Sequence, residues 1–384
     1  MDEKKILFIG NYAGDKFNIG FSKSSIIASK NNNCEFHDLS NREGLSSEKK
    51  KEIEDKYGIK LFHADICRNP LDRKNIKAYK QILELMINEK YDLIHCNTPT
   101  GGMLGRLCAK KIGHKKVIYM ARGFHFFKGA PIKNWIIYYP IEKILARFYT
   151  DCLITINKED YELAKRKFRL RNGSNMIYKV NGSGVDLNEF IYDENIRWEI
   201  RKKNNISDED VVLLSVGEIN DNKNHITIIN AIKKLESKNI KFFIAGQGPQ
   251  SDGLKDIIDK LGLNKKVKLL GYIPNVKEWY SAADIFVFPS KREGFGRAAI
   301  EAMNVGLPII TSNVHGIKDY SINGISGFAN DPLDVKAFSR SIEILVEDKE
   351  LRRKIGKNNM DLCKRYDVNN AAQDISNIYK AFLS

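Results

Sequence analysis

Two glutamates and a lysine carry the most chemistry in this sequence. Glu293 and Glu301 stand eight positions apart in Pro289-Ser-Lys-Arg-Glu-Gly-Phe-Gly-Arg-Ala-Ala-Ile-Glu-Ala-Met303, with Gly294 and Gly296 between them. An apolar run ends at Pro289-Ser290, a glycine-containing turn follows, and helix-forming residues begin near Arg297. A helix N-terminus is therefore expected at the carboxyl end of a strand. Such a terminus offers unpaired N–H groups and the positive end of a dipole, which suits a pyrophosphate, and glycines let the phosphate come close to the backbone. At a rise of ~1.5 Å per residue the eight positions span on the order of 10 Å, comparable to the reach from ribose to hexose in a nucleotide-sugar. One carboxylate can then accept hydroxyls at each end of such a ligand. Alone, two glutamates at this spacing are ordinary helix-start and helix-surface acids. The preceding strand, the Gly-x-Gly turn and the following Asn304-Val-Gly-Leu-Pro-Ile-Ile310 turn the spacing into a pattern. Lys223 has its own physical case, since a fixed cation beside a departing diphosphate stabilises the charge that develops there.

The elements that must position these residues read as two successive series of short apolar strands with helices between them, the signature of parallel sheets. The first series is Ile6–Gly10, Glu35–Leu39, Leu93–Cys96, Val117–Met120, Leu153–Ile156 and Met176–Val180. The second is Val211–Val216, Phe242–Ala245, Val267–Leu270, Ile285–Phe288 and Ile309–Thr311. Two Rossmann-like α/β domains facing each other across a cleft are the expected fold. The expected boundaries are residues 1–187 for an acceptor-binding domain, 188–208 for a linker and 209–368 for a nucleotide-sugar-binding domain. A helix over 369–384 either caps the second domain or crosses back to the first.

A length of 384 residues agrees with two domains. The six cysteines are scattered with no metal-ligand spacing, no apolar run reaches membrane-spanning length, and the N-terminus reads as a strand and not a secretion signal. The net charge of +15 is uneven: residues 101–150 hold ten basic residues against the single acid Glu142. A patch that basic asks for an anionic partner, whether nucleic acid, a phosphate-bearing substrate or a membrane leaflet, unless it is only a solvated surface. Within it, the segment Lys133 to Tyr149 is aromatic and apolar with cations interspersed. It fits either a core helix kinked at Pro140 or a helix lying at a membrane surface.

These motifs bring the chain to a known family. The glutamate segment resembles glycosyltransferase family 4, retaining enzymes of the GT-B fold. So do Ser215-Val-Gly-Glu-Ile-Asn-Asp-Asn-Lys-Asn-His225, Ile244-Ala-Gly-Gln-Gly-Pro249, Ala283-Asp-Ile-Phe-Val-Phe-Pro-Ser290 and Gly324-Ile-Ser-Gly-Phe328. In the first half, Asp92-Leu-Ile-His-Cys-Asn-Thr-Pro-Thr-Gly-Gly102, Gly123-Phe-His-Phe-Phe-Lys-Gly-Ala-Pro131 and Ile154-Thr-Ile-Asn-Lys-Glu-Asp160 look like the subgroup that builds bacterial capsule and exopolysaccharide. The resemblance implies that Glu301 binds the donor ribose and Glu293 the transferred sugar. It further implies that the backbone from Gly294 through Phe295 and Gly296 to Arg297 holds phosphate, that Lys223 neutralises the leaving diphosphate, that Gly217 belongs to the donor site, and that a uracil rests near Tyr272 and Ile273. Two positions depart from the family. Glu218 stands where an arginine is usual, so its carboxylate should point away from the phosphates, with Arg297 or Arg122 supplying the charge. Arg122 replaces the family's histidine before Gly123 and cannot act as a base. His125 is the candidate to replace it, or else a packing residue between Phe124 and Phe126. Gly246-Gln-Gly248 lacks the third glycine of a dinucleotide fingerprint.

The implied activity is transfer of a hexose or N-acetylhexosamine from a nucleotide-sugar, expected to be a UDP-sugar, to a lipid-diphosphate-linked saccharide with retention of configuration. No cofactor and no metal are expected. The expected place is the cytoplasm, peripheral on the anionic inner face of the cell membrane, without a nucleic-acid partner. The rival readings are a sugar-nucleotide epimerase on a similar scaffold and a non-catalytic sugar-nucleotide-binding subunit.

Overall fold

The computed structural model describes residues 3–11, 19–235 and 239–383. Of the predicted domains, Met1, Asp2, residues 12–18 and 236–238, and Ser384 lie outside the described residues. The chain divides into two compact units, Met1–Gly184 with Val368–Ser384, and Val185–Asp367.

In the first unit the order is β1 (Lys4–Ile9), α1 (Lys23–Asn31), β2 (Cys34–Ser40), α2 (Ser47–Tyr57), β3 (Lys60–His63), α3 (Lys74–Glu89), β4 (Leu93–Asn97), α4 (Pro99–Lys111), β5 (Val117–Ala121), α5 (Ile132–Tyr149), β6 (Cys152–Thr155), α6 (Lys158–Lys167) and β7 (Ile177–Lys179). The strands form one parallel sheet ordered β3-β2-β1-β4-β5-β6-β7. Strands covered on both faces bury every side chain, so β4, β5 and β6 are buried throughout and mostly apolar, with His95, Asn97 and Thr155 as buried polar members.

The second unit contains α7 (Glu194–Lys203), β8 (Val211–Val216), α8 (His225–Lys233), β9 (Ile240–Ala245), α9 (Ser251–Lys260), β10 (Val267–Gly271), α10 (Val276–Ala282), β11 (Ile285–Phe288), α11 (Arg297–Asn304), β12 (Ile309–Ser312), β13 (Gly327–Asn330), α12 (Val335–Glu347) and α13 (Lys349–Leu362). Its parallel sheet runs β10-β9-β8-β11-β12-β13. In both sheets the order reverses beside the first strand of the series, between β1 and β4 and between β8 and β11. Ligands of doubly wound sheets bind outside the carboxyl ends of the strands at such a reversal.

Three expectations need correction or completion. Residues 188–208 are not a plain linker: α7 lies there, capped by Asp193, and packs on α10 within the second unit. It is tied down by Arg197 and Arg201, which grip the Asp284 carboxylate and the carbonyls of residues 281–283, so a polar sequence conceals a fixed helix. The last helix, α14 (Val368–Leu383), belongs to the first unit, packing along α1. Edge strands β3 and β13 were not anticipated, because β3 buries only Leu61 and β13 opens on a glycine.

Candidate active site

The carboxyl ends of β8 and β11 place Lys223 and Glu293 together. The loop after β8 is laced to the loop after β11: Lys291 N–H donates to the Asn222 carbonyl at 2.8 Å, and the Asn222 side chain donates to the Arg292 carbonyl at 2.9 Å. Asn224 takes a left-handed conformation at φ 57° and sends its amide to the carbonyls of Pro289 and Pro332 at 3.1 and 2.7 Å. Within that frame Lys223 Nζ donates to Glu293 Oε1 at 2.6 Å and stands 4.6 Å from the Phe288 ring centre. Gly217 makes room for the lysine stem, since a β-carbon there would lie 3.0 Å from Lys223 Cε.

The turn from Glu293 to Gly296 leads into α11 as expected. Gly296 is the N-cap with φ 83°, a conformation that favours glycine, and no side chain caps the helix there. Phe295 is buried, its ring meeting Tyr366 and Tyr320. Glu301 is buried on α11, accepting a 2.8 Å hydrogen bond from the Tyr280 hydroxyl, with Arg297 Nε 3.7 Å away. Burial pushes its carboxyl above the ordinary carboxylate value, against the opposing pull of Arg297 and the Tyr280 hydrogen bond. Glu218 is exposed and accepts from the Asn220 side chain at 2.9 Å, and Tyr272, also exposed, and Ile273 follow β10.

Sequence reasoning missed three residues of this site. Tyr280 supports Glu301, and Asn224 fixes the loop that carries Lys223. Tyr320 is fully buried beneath the turn, its hydroxyl 2.5 Å from where a β-carbon on Gly296 would lie and without a hydrogen-bond partner among the described residues. A signal for Asn224 exists in Lys223-Asn-His225, since asparagine tolerates left-handed backbone. The tyrosines gave none.

The other two candidates lie in the first unit, where Arg122 follows β5. Its Nε donates to Asn97 Oδ1 at 2.9 Å, at the end of β4, and its Nη2 donates to the Phe21 carbonyl. His125 is not wedged between Phe124 and Phe126: those two rings stack on each other with centres 4.7 Å apart, and His125 instead faces Tyr138 of α5 at 4.6 Å. Among the described residues no three His, Cys, Asp or Glu side chains gather as a metal site would require.

Comparison with known proteins identifies the family. Residues 196–361 match the model of "Glycosyl transferases group 1", and residues 43–157 that of "Glycosyl transferase 4-like". The chain is 35% identical over 332 residues to EpsD of Bacillus subtilis (strain 168), assigned to the glycosyltransferases by name, covering 85% of this chain and 86% of that protein. It is 29% identical over 320 residues to the UDP-Gal:alpha-D-GlcNAc-diphosphoundecaprenol alpha-1,3-galactosyltransferase of Escherichia coli, covering 80% and 81%. A further relative carries a name from capsular polysaccharide synthesis. The crystal structure of Anabaena HepE in complex with UDP and glucose superposes with a TM-score of 0.80 at 18% identity, over 99% of this chain and 100% of that one. With two Rossmann-like parallel-sheet units, both family models and these relatives, the chain belongs to the group 1, family 4-like glycosyltransferases of the GT-B fold and is a transferase of bacterial polysaccharide biosynthesis.

Proposed function

We propose that this enzyme moves a hexose or N-acetylhexosamine from a UDP-sugar to a lipid-diphosphate-linked saccharide with retention of configuration, working at the inner face of the cell membrane. The observation that carries the reading is the Lys223–Glu293 pair beside the uncapped start of α11, at the reversal point of the second sheet. A partly exposed ion pair is worth about 1 kcal/mol at most. A diphosphate with its higher charge can therefore draw Lys223 away, and the freed Glu293 carboxylate then accepts a hydroxyl of the transferred sugar. Phosphate oxygens take the amides of residues 294–297 at the positive end of the α11 dipole, Glu301 takes the ribose, and Tyr272 and Ile273 border the uracil.

As the bond from the sugar to the diphosphate breaks, charge grows on the leaving oxygen, and Lys223 with the α11 dipole stabilises it. That positive potential fills the part a metal ion would otherwise play. The leaving phosphate takes the acceptor's proton on the same face of the sugar, so Arg122 and His125 serve the acceptor without acting as a base. The name of the Escherichia coli relative specifies a UDP-sugar and a diphosphoundecaprenol-linked acceptor, and the Anabaena structure holds UDP and glucose; both support this choice of substrates.

Membrane lipids incubated with the enzyme and a panel of UDP-sugars should gain one hexose or N-acetylhexosamine by mass spectrometry. Glu293→Gln and Lys223→Ala should each cut that transfer by about 10²-fold or more with the fold intact. Near-normal transfer in both variants would overturn the site.

A further inference from the structure

Helix α5 is apolar on two faces, and only one is covered by protein. Its inner face sets Trp135 and Tyr139 against Phe126 and Phe168 and buries Leu145 and Ala146. The outer arc carries Ile132, Ile136, Ile137, Ile141, Ile144 and Phe148, each between 44% and 76% exposed. At about 3.6 residues per turn these positions fall within one half of the helix circumference, the same half that carries Lys133, Lys143 and Arg147 between them. The reading of this segment as a core helix is thereby corrected: of its eighteen residues only Leu145 and Ala146 are buried.

An exposed helix face this rich in isoleucine marks an interaction site, and the charge interleaved with it selects its occupant. The one acid of residues 101–150, Glu142, is turned inward, where it receives two hydrogen bonds at 3.1 Å from the fully buried Arg106. No carboxylate of α5 therefore stands on the outer arc, whereas Lys133, Lys143 and Arg147 are exposed there. The cores of protein interfaces are rich in tyrosine and tryptophan. Here those aromatics face inward and the outer arc is mostly isoleucine, which matches acyl chains better than a protein pocket. Among the described residues no helix is long and apolar enough to cross a membrane, so a helix of this make-up lies flat.

We infer that α5 rests in the plane of an anionic phospholipid bilayer, with its isoleucine stripe among the acyl chains and Lys133, Lys143 and Arg147 at the phosphates. This deepens the membrane placement proposed above, on which it rests, by naming the element that makes the contact.

The test is co-sedimentation of the full chain with phosphatidylglycerol vesicles and with phosphatidylcholine vesicles, alongside the double variant Ile136→Gln, Ile144→Gln. Both positions are exposed, so unchanged thermal unfolding should confirm the variant's fold. The parent should prefer phosphatidylglycerol by about tenfold or more, with the preference shrinking as salt is added. The double variant should lose about tenfold or more of its vesicle binding while keeping its transfer to a water-soluble acceptor analogue. Equal vesicle binding by parent and variant would overturn the inference. So would a lipid-free parent that sizes as a dimer which the variant breaks into monomers, for then a second copy covers the stripe. No sugar donor enters the vesicle experiment, so a chain that transfers sugar without binding vesicles defeats this inference and the membrane placement but not the transfer, and one that binds vesicles without transferring defeats only the proposed activity.

Discussion

Asn224 shows how much of this site depends on single side chains that touch no substrate. Its two carbonyl contacts and left-handed backbone hold the loop after β8 against the loop after β11, and the Lys223–Glu293 pair exists only in that frame. Arg122 has a comparable duty in the first unit, where its guanidinium spans from Asn97 to the Phe21 carbonyl. A histidine is shorter and has no forked donor set, so Arg122→His cannot make both contacts. Steady-state kinetics should show the acceptor KM raised several-fold with the donor KM unchanged, and a rise in kcat would instead mark Arg122 as a lesion that histidine repairs. At this scale the sequence spoke for Glu293, Glu301 and Lys223 through their neighbours in the chain. It was silent on Tyr280 and Tyr320, since Tyr280 stands 21 residues from Glu301 and Tyr320 is further still from Gly296, separations that leave no local pattern.

Elements were legible where burial makes a pattern. The strands covered on both faces stand as apolar runs in the chain, and each of the eleven expected strands has a counterpart in the two sheets. Edge strands and α7 were hidden because their attachment rests on arginine, backbone and position in place of apolar periodicity. The turn into α11 shows the same division. Gly294 and Gly296 announce it, but its close backing by Gly316 is a long-range fact: the Gly316 N–H donates to the Glu293 carbonyl at 3.0 Å, and a β-carbon on Gly316 would fall 2.0 Å from the Gly294 carbonyl oxygen. Gly316→Ala should therefore displace the turn and weaken UDP binding by about tenfold or more in calorimetry, since the amides of the turn are the phosphate contacts proposed above. Gly253→Ala on α9, where a β-carbon meets open space, should act in the opposite sense and raise stability by about 0.5–1 kcal/mol in denaturant titration. A turn that binds UDP normally with alanine at 316 would detach the phosphates from this loop.

Across the whole molecule, each unit keeps a buried neutral histidine: His95, whose Nδ1 meets the Tyr379 hydroxyl of α14 at 2.6 Å, and His225 at the start of α8. Burial, helped by nearby Arg122 and Lys223, lowers both imidazoles from 6.5 to about 3. Between those values the unfolded chain holds protons that the folded protein refuses, so stability falls as pH falls through that window. Each imidazole contributes roughly 1.4 kcal/mol per pH unit at most. Denaturant midpoints should drop on going from neutral to mildly acidic buffer, and His95→Gln should flatten the part of the drop that reports on the first unit; an equal slope in the variant would count against this assignment. The return of the chain to its first unit has a further effect, on the order of events during synthesis. The second unit is one uninterrupted stretch, Val185–Asp367, whose two ends meet where Val185 N–H donates to the Tyr366 carbonyl at 2.9 Å. The first unit lacks α14, and the partner of His95, until residues 368–383 have been made. The unit begun first is thus completed only after the second has been made, and a premature stop within α14 would damage the first unit while sparing the second.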